Sequence, residues 1–270
     1  MNRARMIRNL RELHQYRALL WSLTLRELKA RYRGSVLGFL WTFLNPTLLM
    51  LVYALIFSVY MRSSMEYYTY FLFIGLLPWI WFSSSIGGGA SAISDRRDLM
   101  TKVRFPAQVL PATVVATNLI NYLLSLPLML GLGAFYGVFP SWHALLFPVV
   151  IAIQLLFTLG LSYLISALNV GFRDLQHIVT NLLTLLFFLT PILYSAQDVQ
   201  DKLAGYPVIR SLFLYGNPMA VIVTSYQAIF YHHTLPPLLP LAGVFGISIV
   251  LLWIASYVFE ARRDEFAELI

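Results

Sequence analysis

Residues 105–172 read FPAQVLPATVVATNLINYLLSLPLMLGLGAFYGVFPSWHALLFPVVIAIQLLFTLGLSYLISALNVGF, 68 positions without one Asp, Glu, Lys or Arg. Soluble folds carry roughly a quarter charged residues, so a gap this long does not occur in a domain that faces water. One helix of that length would run about 100 Å, against a ~30 Å hydrocarbon core, so the stretch holds two membrane crossings and a turn. Pro140-Ser141-Trp142-His143 supplies the turn.

Working outward, the same test finds uncharged intervals at 34–61 and 67–94 before it, and at 175–196 and 238–259 after it. The reading is an all-α integral membrane protein with six transmembrane helices: 34–61, 67–94, 106–139, 144–168, 175–196 and 238–259. Composition agrees: 59% of residues are hydrophobic, 11% charged, and mean hydropathy is +0.72. Cysteine is absent, which excludes disulfides and thiolate metal sites. The first eighteen residues contain five Arg and no continuous apolar core, so the first span is expected to act as an uncleaved anchor.

The net charge of +7 would suggest nucleic acid in a soluble chain, yet nine of the nineteen Lys and Arg fall within residues 1–33. With both termini cytoplasmic, sixteen basic residues lie on inner segments and three, Arg62, Lys202 and Arg210, outside. That asymmetry follows the positive-inside rule, and no nucleic acid partner is expected. Residues 260–270 form a cytoplasmic tail. Segment 197–236 reads as an outer-face element: Asn217 caps a helix whose first residue is Pro218. The stretch from Pro218 to Tyr231 is too short to cross, so short re-entrant helices are expected there.

Within the cytoplasmic segment 1–33, Trp21, Thr24, Leu25, Leu28 and Tyr32 recur at helical spacing, with Arg26, Lys29 and Arg33 on the opposite side and a Glu27–Arg31 pair at i,i+4. This predicts an amphipathic helix in the headgroup region, or at its plainest a basic topogenic flank. Arg26, Lys29, Arg31 and Arg33 are candidates to attract an anionic lipid head. The inner loop 95–105 mixes Arg96, Arg97, Asp98, Lys102 and Arg104 with Leu99, Met100 and Val103. A pure topology determinant needs no apolar residues in that pattern, whereas a helix docking on another protein does.

Chemistry is conspicuous by what is missing. No Lys follows a Gly, so the phosphate-cradling G-x-x-x-x-G-K-[ST] loop is absent. No His precedes Glu as in zinc-protease helices, and no G-x-S-x-G elbow exists. The spans lack the Asp, Glu, Lys or Arg of ion-coupled carriers, which suggests a conduit powered from elsewhere. Gly87-Gly88-Gly89 reads as close helix packing or a bend. Aromatics, 15% of the chain, include Trp41, Trp79, Trp81, Phe82, Phe187, Phe188 and Tyr194. They are either interface belts or rings lining a path for sugar, whose C–H faces stack on aromatics.

Three segments together carry a family resemblance. They are Leu25-Arg26-Glu27-Leu28-Lys29-Ala30-Arg31-Tyr32-Arg33-Gly34-Ser35-Val36-Leu37-Gly38-Phe39-Leu40-Trp41 running to Asn45-Pro46; Asn169-Val170-Gly171-Phe172-Arg173-Asp174-Leu175; and Leu189-Thr190-Pro191-Ile192-Leu193-Tyr194, with Asn217-Pro218 downstream. In order and spacing the chain resembles the membrane subunit of type-2 ATP-binding-cassette exporters of lipid-linked polysaccharide, the group moving O-antigen, capsule and teichoic-acid precursors. The resemblance implies a homodimer in the bacterial cytoplasmic (inner) membrane and two copies of a separate ATPase that holds ATP and Mg. It also implies a polyprenyl-diphosphate-linked glycan as cargo. Residues 95–105 would then dock in the ATPase, and 197–236, with Asn217, Pro218 and Tyr226, would form an outer gate. Two other readings stand beside it. One is a membrane glycosyltransferase using outer carboxylates among Asp198, Asp201 and Glu66; the other is an exporter of a drug or simple lipid.

Overall fold

The computed structural model describes residues 15–60, 65–96, 105–172 and 174–262. Among them the chain forms ten α-helices and no strand. They are α1 (Arg17–Tyr32), α2 (Trp41–Ala54), α3 (Tyr68–Ser91), α4 (Val109–Phe135), α5 (Phe147–Gly171), α6 (Leu175–Leu189), α7 (Ala196–Lys202), α8 (Pro207–Tyr215), α9 (Pro218–Phe230) and α10 (Leu238–Ala261). A 3₁₀ turn, Gly38–Leu40, leads into α2, and a π-helical turn, Leu55–Tyr60, continues it.

Five helical segments are long and apolar enough to cross a bilayer: Gly38–Phe57, Tyr68–Ser91, Val109–Phe135, Trp142–Gly171 and Leu238–Ala261. Four lie within uncharged intervals of the sequence, and Leu238–Ala261 overruns 238–259 by Glu260 and Ala261. The remaining interval, 175–196, behaves differently. It is helical only over Leu175–Leu189, about 22 Å of rise and short of a hydrocarbon core. The cause is local: Pro191 disfavours helical geometry at the residue before it, and Thr190 is extended (φ −100°, ψ 134°). α8 and α9 meet at a 75° bend and together would count as one broken span.

Between α4 and α5 the chain turns through a glycine-dependent cap. Gly137 has φ +75°, a conformation that costs an L-residue but not glycine. The Val138 amide then donates to the Gly133 carbonyl (2.8 Å) and the Gly137 amide to Ala134 (3.0 Å), the paired bonds of a Schellman motif.

α3 is the hub. It is apolar around its circumference and buried along nearly its whole length, as expected of a helix without a polar face, and it packs on α2, α4, α5, α6 and α9. Small residues permit the closest approaches. A Cβ added at Gly89 would lie 2.1 Å from Ser162 Oγ on α5, and one at Gly160 would lie 3.1 Å from the Leu252 amide on α10. Gly89 therefore serves helix packing, the first reading of the glycine cluster. Leu48, Leu51 and Val52 on α2, Ile178, Leu182 and Leu185 on α6, and Leu239, Phe245 and Val250 on α10 stay exposed, an apolar perimeter suited to lipid or another subunit.

α1 lies against α4 with Thr24 buried, while Trp21 and Leu25 remain exposed. The expected Glu27–Arg31 pair within the helix does not form. Glu27 Oε2 instead accepts from Arg96 Nη2 at 2.5 Å, and Arg31 Nη2 donates to Asn118 Oδ1 at 3.1 Å. Both residues have partners on neighbouring elements, and these replace a contact worth only a few tenths of a kcal/mol.

Candidate functional site

Three cavities open along one face of α3 and share Ser84 as a common wall. The first, about 330 Å³, lies between α1, α2, α3 and α4 and is lined by Arg31, Trp41, Asn45, Trp81, Asn118 and Asn121 among others. The second, about 520 Å³, lies between α2, α3 and α6, with Tyr53, Trp79, Thr180, Thr184, Phe187 and Phe188 in its wall. The third, about 450 Å³, sits where α1 meets the end of α3 and is bounded by Arg26, Glu27, Arg31, Asp95 and Arg96. The charged rim is thus continuous with a neutral interior of amides, hydroxyls and rings.

The side chains of this interior come from helical spacing. Asn118, Asn121, Tyr122 and Ser125 stand at i, i+3, i+4 and i+7 on α4 and all line the first cavity. Trp81 stacks on Tyr122 with ring centroids 5.3 Å apart and planes 16° apart. From there Tyr122 meets Tyr226 at 6.2 Å, and Tyr226 meets Phe147 at 5.7 Å. A second aromatic chain joins Phe157, Phe82, Trp79, Phe187 and Phe188, each 5.3–5.8 Å from the next. Of the rings singled out in the sequence, Trp41 and Trp81 line the first cavity, and Trp79, Phe187 and Phe188 line the second. Phe82 is packed in the interior against Phe157, and Tyr194 donates its hydroxyl to the Phe188 carbonyl (2.7 Å). Neither of these two lines any of the three cavities.

α9 is held over the break after α6 by side chains that satisfy backbone carbonyls freed from helical pairing. Asn217 caps α9, its Oδ1 accepting from the Met219 amide at 3.0 Å, and its Nδ2 donates to Thr190 Oγ1 at 2.9 Å. Pro218 comes next as the first helical residue. Gln227 Nε2 donates to the Pro191 carbonyl (2.8 Å) and Tyr68 to the Leu193 carbonyl (2.9 Å). At the centre, Tyr226 donates to Gln154 Oε1 (2.9 Å), and Gln154 Nε2 donates to the carbonyl of Pro78 (2.8 Å). Gln154 is fully buried, so each of these bonds offsets a desolvation cost.

The remaining candidates are dispersed around these cavities and the outer helices. Arg26, Lys29, Arg31 and Arg33 are all exposed, and Arg26 and Arg31 also border the third cavity. Arg96 closes the 3₁₀ turn Ser94–Arg96 and pairs with Glu27. Arg97, Asp98, Leu99, Lys102 and Arg104 lie outside the described residues. Asp198 is engaged in a capping box on α7: the Ser195 hydroxyl accepts from the Asp198 amide (3.0 Å), and Asp198 Oδ2 accepts from the Ser195 amide (3.0 Å) and hydroxyl (2.6 Å). Those bonds, led by the one from the hydroxyl, hold its carboxyl below the usual 3.8, and they give Asp198 a structural role in the cap. Asp201 accepts from Gln197 (3.0 Å). Among the described residues no group of three or more His, Asp or Glu could hold a metal ion.

Gln154, Asn45, Asn118 and Asn121 are the site residues that charge counting passes over, because an uncharged amide leaves an apolar interval unbroken. The assembled site lines its cavities with amides, hydroxyls and rings, groups able to bond and stack with polar matter. Among the described residues it holds no pair of groups arranged to make or break a bond.

The family profile described as ABC-2 type transporter matches residues 18–231. The chain is 66% identical over 265 residues to the O-antigen export system permease protein RfbA of Myxococcus xanthus, covering 98% of this chain and 100% of that one. It is 32% identical over 254 residues to the RfbA protein of Klebsiella pneumoniae, covering 93% and 95%. The polysialic acid transport protein KpsM of Escherichia coli shares 24% identity over 205 residues, covering 75% and 77%.

Proposed function

Because the chain belongs to the ABC-2 type transporter family, we propose that it is the permease of an ATP-driven exporter of an O-antigen-like polysaccharide. The observation that carries this reading is end-to-end identity of 66% with an O-antigen export permease. The chain itself is a multi-pass membrane protein and not an enzyme; hydrolysis belongs to a separate ATPase subunit, which would hold ATP and Mg. The membrane in question is the bacterial cytoplasmic (inner) membrane, with both termini inside. Two copies of the chain would pair through part of the apolar perimeter on α2, α6 and α10, each with one ATPase, and the cargo would hang from a polyprenyl diphosphate.

In this arrangement loop 95–105 receives the ATPase, with Arg96, Arg97, Asp98, Leu99, Lys102 and Arg104 as the contact set. Nucleotide-driven closure of the ATPase pair then shifts the permease subunits as rigid bodies. The Glu27–Arg96 pair would pass that displacement to α1, where Arg26, Lys29, Arg31 and Arg33 draw the anionic head from the inner leaflet at about 1 kcal/mol each. The Trp79–Phe187–Phe188 wall would line the glycan path. α9, with Asn217, Pro218 and Tyr226, would limit leakage at the outer face. A polymer longer than the membrane is thick cannot be enclosed, so such a gate loosens around the chain rather than sealing each cycle.

The test is export in a strain lacking the gene. Cells should accumulate lipid-linked glycan internally, and the intact gene should restore surface polysaccharide. R97E/K102E should leave glycan inside while the ATPase loses substrate stimulation. Restored export and normal stimulation in that double variant would overturn the docking role, and undiminished surface glycan in the deletion strain would overturn the transport reading.

A further inference from the structure

From the first cavity we infer a recognition site, inside each permease subunit, for a phosphorylated sugar head: an anion held at Arg31 with its attached hydroxyls on Trp81, Asn118 and Asn121. The inference rests on the export reading above and gives the head of the cargo a definite berth. Three of the buried polar atoms that lack a partner within the protein, Trp81 Nε1, Asn118 Nδ2 and Asn121 Oδ1, belong to residues of this cavity's wall. Trp81 and Asn118 are 1% and 3% exposed, so their polar atoms lie in the cavity wall, screened from bulk water, and a small side-chain rotation would bring them to a ligand.

Depth makes this costly unless something fills the space. Asn118 lies nine residues into α4, Asn121 twelve, and Trp81 ten residues from the end of α3, about 14–18 Å of helix from those ends, and Arg31 reaches in to meet Asn118. Unpaired donors at that depth are expensive, and polar groups inside a membrane mark pathways and ligand sites. Arg31 supplies the positive pole. One of its five N–H donors goes to Asn118 Oδ1 (3.1 Å), an acceptor that fixes the guanidinium at the mouth shared with the third cavity. Two further donors and one acceptor inside match a phosphate ester followed by hydroxyls. The volume, about 330 Å³, lies within the range of small-ligand sites, too small for a polymer and sufficient for its terminal unit. Of the four basic residues on α1, this singles out Arg31.

Two sources offer that chemistry: the sugar-diphosphate end of the cargo and the phosphodiester head of a bulk phospholipid. The experiment uses the absence of native cysteine. In the permease–ATPase complex in dioleoylphosphatidylcholine nanodiscs, Ser84→Cys places one thiol on the cavity wall, and its alkylation by N-ethylmaleimide is followed by mass spectrometry of the permease. Farnesyl diphosphate-linked N-acetylglucosamine should slow alkylation. Half-protection should need about tenfold more probe in Trp81→Phe or Asn121→Ala, and more still in Arg31→Met, the loss expected for one hydrogen bond to a charged or polar ligand. Trp81→Phe keeps the ring and removes only the N–H, so it separates recognition from packing. Protection unaffected by these substitutions, or absent altogether in a complex that exports glycan, overturns the site while leaving the export reading intact. Protection given equally by dioleoylphosphatidylglycerol, with no gain from the glycosyl diphosphate, overturns the sugar assignment in favour of bulk lipid. A wild-type complex that exports nothing indicts the export reading instead.

Discussion

Replacing Gln154 with Leu should loosen α9, and a double-mutant cycle with Tyr226→Phe should show by how much. Gln154 bridges two partners, accepting from Tyr226 (2.9 Å) and donating to the Pro78 carbonyl (2.8 Å). Q154L takes the acceptor from the buried Tyr226 phenol and the second donor from a carbonyl that α3 already pairs, whereas Y226F leaves Gln154 Oε1 unpaired. A buried polar group left unpaired costs about 1–3 kcal/mol, which sets each single variant in that range. Measured hydrogen-bond couplings within membrane proteins are smaller, averaging about 0.6 and reaching about 1.7 kcal/mol, because the denatured chain finds other partners in the bilayer. We therefore expect a coupling of about 1 kcal/mol, the double variant being less damaged than the sum of the singles. Unfolding by dodecyl sulfate titration in mixed micelles gives the energies, and hydrogen–deuterium exchange over 218–230 locates the loosening. In liposomes, Q154L should also raise nucleotide-independent leak of a small dye. Additivity of the two substitutions within about 0.3 kcal/mol, with exchange over α9 unchanged, would refute the pinned-helix account.

Gly89→Ala should cost about 1–3 kcal/mol by overpacking, since its new methyl would meet Ser162 Oγ at 2.1 Å; G89A/S162G should recover most of the melting temperature, and a wild-type melt for G89A would contradict the packing. Either E27Q or R96Q should weaken substrate-stimulated ATP turnover while costing under ~1 kcal/mol of stability, and the exchange E27R/R96E should restore turnover; normal coupling in both singles would remove the pair from the transmission path. Ser195→Ala should cost α7 about 1 kcal/mol, seen as faster exchange over 196–202. Because the Asp198 carboxyl is held below its usual 3.8, the cap contributes fully above that value and is lost as pH falls through the lowered one; an Asp198→Asn chain should show no such acid dependence in that helix, and persistence of the dependence would assign it elsewhere.

The long helices were legible because charge is so costly in hydrocarbon that its absence alone marks a span, and four uncharged intervals, the longest folding as two spans, gave five long helices. The remaining interval, 175–196, shows the limit of that signal. Thr190-Pro191 breaks α6 without interrupting the apolar run, and a count of charges does not register a proline. The Glu27–Arg31 spacing promised a local pair, but Arg96, some seventy residues along, lies within reach only once α1 has docked near the end of α3. The polar face of α4 was present in the sequence as Asn118, Asn121, Tyr122 and Ser125 at helical spacing. What the sequence does not contain is the neighbour across the gap: that Arg31 and Trp81 converge on the same space depends on how α1, α3 and α4 pack.

The break after α6 has a mechanical corollary. Where helix α6 stops, the carbonyls of Pro191 and Leu193 are each fastened by one side-chain atom, from Gln227 and Tyr68. Nothing there relies on a continuous helical ladder. Were α9 to shift, rotamer changes and a few water molecules could take over those bonds without unwinding a helix, and the burial of its side chains from Met219 to Phe230 would set the cost.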